Sequence, residues 1–143
     1  MTGVRPAHGG RRSAYAAVLL ASGVLAVSAC TGPGADEAAQ VADSFDRAAV
    51  SDAAKACDLL APRTREEVEK SAQQPCAGAL GGDDLPDPSP LRSVDVYGHD
   101  AIVRFDNDTV FLARFPEGWR VTAAGCRAGP SDDKPYDCDV SGG

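Results

Sequence analysis

At 143 residues, 43% of them hydrophobic and 24% charged, the chain has the composition of one small globular domain with an appended segment and lacks the length for a second domain. Charge is unevenly placed: residues 1–29 carry Arg5, Arg11 and Arg12 and no acid, whereas residues 30–143 hold 11 basic against 21 acidic side chains, a net of −10. So acidic a domain repels phosphate backbones and anionic lipid heads, which argues against nucleic acid and against an electrostatically held membrane surface as partners.

Residues 1–12 are basic and Gly-rich, residues 14–28 are a nearly uncharged run of Ala, Val and Leu, and the small Ser28 and Ala29 precede Cys30. This three-part layout predicts a signal peptide over 1–29. The apolar run falls short of the roughly 20 residues of a spanning helix, and no second such run follows. The stretch Val27-Ser28-Ala29-Cys30 resembles the lipobox of bacterial lipoproteins, with Val27 where that motif most often has Leu. The resemblance implies a diacylglycerol thioether on Cys30, acyl chains of the palmitate type, a new N-terminus at that residue, and a cell-membrane location on the extracytoplasmic face. The residue types suit the chemistry: only a thiol forms the thioether, and small neighbours let a peptidase hold the backbone extended. The alternative is plain secretory cleavage at Val27-Ser28-Ala29, leaving Cys30 an ordinary extracellular cysteine. Arg11-Arg12 is a weak twin-arginine signal, because Ser13-Ala14-Tyr15 lacks the bulky pair that export route requires.

Setting Cys30 aside leaves Cys57, Cys76, Cys126 and Cys138, an even number in an oxidising compartment with three possible pairings. Sequence alone does not choose among them. Proximity along the chain favours Cys57 with Cys76 and Cys126 with Cys138, each closure contributing about 3 kcal/mol in the chain-entropy model. No C-x-x-C occurs and His8 and His99 are the only histidines, so neither a metal nor a cofactor is expected.

Residues 30–36, with Gly32, Pro33 and Gly34, read as a short lipidated tether. A single α+β domain is expected over 37–140. From Asp36 the apolar residues Ala38, Ala39, Val41, Ala42, Phe45, Ala48 and Ala49 recur at helical spacing, with Asp43, Asp46 and Arg47 assigned to the opposite face. Ser51 and Asp52 restart a helix that Pro62 ends. Thr64 is expected to cap a third through a Thr64-x-x-Glu67 box, with Val68 inward. Residues 81–90 read as an acidic Pro/Gly linker with no core residue of note. Beyond it the period changes to strand: 91–97, 101–105, 110–115 and 119–123, separated by turns at Gly98-His99, Asp106-Asn107-Asp108 and Pro116-Glu117-Gly118. The expectation is two to three helices packed on a four-stranded antiparallel meander, with a short edge piece over 136–140.

Helices followed by a meander containing Gly118-Trp119-Arg120-Val121 resemble, over residues 37–126, the cone-shaped nuclear transport factor 2-like or cystatin-like α+β domains found in actinobacterial lipoproteins. Larger members carry a further strand pair between the early helices, for which this chain is too short. The resemblance implies a cone but no single activity, since that family hosts enzymes, ligand binders and interaction modules.

Catalytic signatures are missing: there is no phosphate-binding loop, G-x-S-x-G elbow or H-E-x-x-H pair. Asp95, Tyr97 and His99 alternate with Val94 and Val96, so inward valines turn that trio to solvent. Ser89 and Ser93 have only His99 as a base, too little for a triad. Asp132, Asp133, Asp137 and Asp139 crowd the loop between Cys126 and Cys138 without calcium-loop spacing, and Arg120 and Arg127 are expected to make surface ion pairs beside it. Two readings follow. The first is a non-enzymatic, lipid-anchored accessory domain that meets an envelope protein or component through its outer sheet face or the disulfide loop. The alternative is a small-molecule binder or vestigial isomerase- or cyclase-like protein, using a cone mouth lined by Phe45, Phe105, Phe111 and Trp119. An open cavity at those four favours the second, and a filled core the first.

Overall fold

The computed structural model describes residues 1–3, 32–82 and 84–142, so the expected signal peptide beyond residue 3, the lipobox-like stretch and Cys30 lie outside the described residues. Four helices precede five strands, α1 Ala35–Ser51, α2 Ala53–Leu59, α3 Pro62–Ala72, α4 Cys76–Leu80, β1 Leu91–Tyr97, β2 Asp100–Phe105, β3 Thr109–Phe115, β4 Gly118–Ser131 and β5 Lys134–Ser141. Among the described residues no helix is long and apolar enough to cross a membrane.

Gly34, in the left-handed region at φ 85°, turns the chain into α1, and Asp36 and Glu37 in the first turn suit the positive end of the helix dipole. Ala38, Ala42, Phe45 and Ala48 form the buried stripe. Asp52 ends α1 by donating its N–H to the Ala48 carbonyl, and its carboxylate accepts the Lys55 N–H at 3.2 Å to cap α2. Leu60 is extended and bridges to Val121, whose carbonyl accepts the Ala61 N–H at 2.8 Å.

The third helix corrects the sequence expectation. Pro62 does not merely end α2; it opens α3 at the position where its missing N–H and fixed φ suit a helix start. Thr64 is consequently inside the first turn rather than at the cap. Its side chain is buried and its hydroxyl donates to the Thr122 carbonyl at 3.1 Å, tying α3 to the sheet. A fourth helix, α4, follows where none is expected. It is only five residues long and is held by the Cys57–Cys76 disulfide at its first residue, with Ala79 and Leu80 in the core.

The sheet is an antiparallel meander in the order β1-β2-β3-β4-β5. It has five strands rather than four because the expected edge piece is a full strand. β4 runs 14 residues and pairs with β5 from Ala123↔Ser141 to Ser131↔Lys134, with Cys126 directly opposite Cys138 and bonded to it. The residues read as an acidic loop are thus mostly strand. Ala101, Val103, Phe105, Val110, Leu112, Trp119 and Val121 alternate inward and meet Phe45, Leu60, Val68 and Leu80 from the helices. A register shift opposite Phe111 and Leu112 moves the inward position from Ala123, where alternation places it, to Ala124.

The 81–90 stretch is less detached than its composition suggests. Leu85 packs against the core. The Asp106 N–H donates to the Pro90 carbonyl at 3.0 Å, and the Asn107 amide donates to the Asp87 carbonyl at 3.1 Å, so the linker is laced to the β2–β3 turn.

Candidate functional site

The helix start, the end of β3 and the start of β4 converge at one pole of the domain. Trp119, the only tryptophan, is 4% exposed, and the Arg114 guanidinium carbon lies 4.7 Å from its ring centroid, within cation–π range. Arg114 also reaches Glu37 of α1, Nη2 to Oε2 at 3.7 Å. Gly34 lies against both: a Cβ there would fall 1.9 Å from Arg114 Nη2 and 3.3 Å from Trp119 Nε1. The left-handed φ of 85° and the close approach to the stack both favour glycine at position 34, since any side chain there would displace the Arg114 guanidinium.

Beside this stack runs an open groove of about 470 Å³, with Val41 and Leu59 as apolar lining and Glu37, Gln40 and Glu117 as polar ones. Arg120 is committed nearby through a hydrogen bond to the Asp58 carbonyl, rather than pairing with the hairpin carboxylates as its position in sequence suggests. The groove offers hydrogen-bonding groups, the Ser44 hydroxyl among them, and the carboxylates of Glu37 and Glu117. The Trp119 Nε1–H is buried and has no hydrogen-bond partner among the described residues. Replacing Trp119 with Phe removes that unpaired donor while keeping most of the buried ring, so the stability loss is expected to stay near 1 kcal/mol; Trp119→Ala is expected to lose about 3–5 kcal/mol. Denaturant melts of the two variants check this, and comparable losses in both would show that the indole N–H has a partner.

The aromatic quartet does not form a mouth. Phe45 (1% exposed), Phe105 and Trp119 are packed in the core, because each sits on the inward stripe of its element. Phe111, between the inward Val110 and Leu112, takes the opposite face and meets Tyr136 edge-on at 4.8 Å between centroids. The grooves near them are lined by one each, Trp119 in the groove above and Phe111 in a second beside Thr64 and Phe115.

The other singled-out residues lie at the surface. Val94 and Val96 pack on the core; Asp95 pairs with Arg104 across β1 and β2; Tyr97 is 60% exposed, and His99 is exposed in the turn where its carbonyl accepts the Arg114 N–H at 2.7 Å. In the hairpin Arg127 holds Asp139 through two bonds of 2.8 and 3.0 Å and Lys134 holds Asp137 at 2.7 Å. Among the described residues no three His, Cys, Asp or Glu side chains are grouped as a metal site.

Two residues that sequence reasoning missed are the buried carboxyls Asp46 and Asp108, 5% and 6% exposed. Asp46 follows Ala38 and Ala42 at four-residue steps, so its place on the buried stripe is legible from spacing; charge alone assigned it to solvent. Burial, and after it the neighbouring Asp108 and Asp43, push its pKa up to about 8, with Arg47 opposing. Asp108 is also raised by burial, but it accepts the Cys126 N–H at 2.9 Å, and backbone donors from Cys126, Gly125 and Thr109 restrain the shift. This bond holds β4 at Gly125, whose φ of 65° leaves no tolerance for a side chain against Asp139. Both carboxyls are withdrawn from solvent, so their raised pKa values bear on the stability of the fold. Comparison of the chain with protein-family models, with curated proteins and with solved structures finds no match.

Proposed function

We propose that the protein is a lipid-anchored accessory domain on the extracytoplasmic face of the cell membrane, which presents a rigid surface to a protein or other component of the envelope and carries out no chemistry of its own. The observation that carries this reading is the Val27-Ser28-Ala29-Cys30 motif at the end of an apolar run, two residues before the described domain begins. Supporting it, all four other cysteines are consumed in two disulfides, which suits an oxidising compartment and leaves Cys30 free for the lipid. The order of helices before a meander supports a likeness to the cone-type α+β domains of such lipoproteins. Three of the four residues of the alternative's ligand mouth are core, and no observation favours that alternative.

The anchor is tested by growing expressing cells with an alkyne-tagged fatty acid. The wild-type chain is expected to take up the tag and stay with membranes, and Cys30→Ala to lose both. An untagged mature chain beginning elsewhere than Cys30 would overturn the reading. Crosslinking in cells and identification of the captured neighbour then names the partner.

A further inference from the structure

We propose that the neck of the domain fixes which pole faces the membrane: with a lipid on Cys30, the Tyr97–Asp100 and Phe115–Gly118 turns are held at the lipid surface and the tip of the β4–β5 hairpin points away from it. The inference rests on the anchor proposed above and concerns the geometry that such an anchor imposes.

The first residues of the neck that the structure describes are already bound to the domain. Gly32 lies against β1, where an added Cβ would be 3.4 Å from the Val96 Cβ, and its carbonyl accepts the Ala35 N–H at 3.1 Å. Gly34 is lodged on Arg114 and Trp119, and its carbonyl accepts the Ala38 N–H at 3.0 Å. Between Gly32 and Cys30 the chain spans two residues, at most about 7 Å even fully extended. By contrast, β4 begins at this pole with Gly118 and runs 14 residues to Ser131, on the order of 45 Å at strand rise. The distance from the pole to the hairpin tip is therefore several times the reach of the neck. A domain on so short a leash cannot roll over to present its far end to the bilayer.

The pole also has surface chemistry suited to a headgroup layer. Tyr97 is a large exposed aromatic with a polar tip, the type enriched at membrane interfaces. Charge does not supply the attraction: Arg114 is paired with Glu37, and Asp36, Asp100 and Glu117 belong to the same pole. Orientation thus comes from the covalent neck assisted by Tyr97, and it persists in high salt, unlike an electrostatic contact. The part left facing a partner is the hairpin beyond β3, where residues 124–131 of β4 pair only with β5 and the Cys126–Cys138 bond staples the two.

The test uses the lipidated chain purified from membranes and placed in nanodiscs of phosphatidylcholine and phosphatidylglycerol, some lipids bearing a nitroxide on the headgroup. Amide signals of Tyr97–Asp100 and Phe115–Gly118 are expected to lose most of their intensity, at low and high salt alike, while Asp132–Lys134 keep theirs. Equal broadening at both poles would overturn the proposal. So would survival of the unequal pattern after about ten Gly and Ser residues are inserted between Thr31 and Gly32, because the neck would then not be the cause. A mature chain beginning at Cys30, coupled through that thiol to a maleimide lipid, separates the two ideas: the unequal pattern there with no native acyl group on Cys30 sinks the anchor and leaves the geometry standing.

Discussion

Replacing Asp46 with Asn is expected to make the protein more stable at pH 7 by roughly 2–4 kcal/mol and to flatten the dependence of its stability on pH. The side chain is 5% exposed, and burial with the help of Asp108 and Asp43 raises its pKa from 3.8 to about 8. The sign follows from proton counting. Between those two values the unfolded chain has released the Asp46 proton and the folded chain still holds it. Folded protein binds more protons across that window, so stability is greatest below pH 4, falls as pH rises, and levels off above about 8. Asn reproduces the neutral acid in shape and removes the ionisation, so the variant and the wild type are expected to converge near pH 4 and separate toward pH 8. Asp108, raised in the same direction, leaves a residual slope in the variant. Urea melts at half-unit pH steps measure this directly, and parallel curves for the two proteins would show that the carboxyl is not protonated in the fold.

Asp46 also marks where reading the sequence stops short. The class of fold, the order of helices before strands and the strand positions are legible because apolar residues alternate cleanly in 101–105 and 110–112 and recur at helical spacing from Ala38 to Ala48. Rules based on residue type fail where tertiary partners override them. Thr64 and Glu67 have capping-box spacing, yet Pro62 starts the helix three residues before a Thr64 cap would, because Leu60 and Ala61 are extended and the Ala61 N–H donates to the Val121 carbonyl of β4. Asp137 and Asp139 read as part of an acidic loop, yet they sit on β5 of a long hairpin in which Cys126 and Cys138 lie opposite each other, and only Asp132 and Asp133 form its turn. At the neck pole the Gly34–Arg114–Trp119 stack was not legible, since its members are brought together from the turn before α1, from β3 and from β4.

Removing the Cys57–Cys76 bond by a double Ala substitution is expected to destabilise the protein by about 3–6 kcal/mol, a large share of the 5–15 kcal/mol typical of a whole domain. The bond closes a separation of 19 residues, which in the chain-entropy model accounts for about 3 kcal/mol. The rest comes from what the bond positions. α4 is five residues long, far below the length at which a helix holds itself together, and it contains Leu80, one of the largest fully buried side chains. Without the tether at Cys76, release of α4 exposes Leu80 and opens the space between α2 and α4, a further loss of about 1.5–3 kcal/mol if complete. A drop in Tm of at least about 10 °C follows for a domain of this size. The matching substitution at Cys126 and Cys138 is expected to act differently. Those residues face each other in a ladder that continues on both sides, so the hairpin loses rigidity at its outer end while the helices and β1 to β3 keep their packing. Hydrogen exchange separates the two cases: the first variant is expected to lose protection at 77–80 and the second at 127–137. If α4 kept its protection without Cys57–Cys76, the burial of Leu80 rather than the disulfide would be what holds that helix in place.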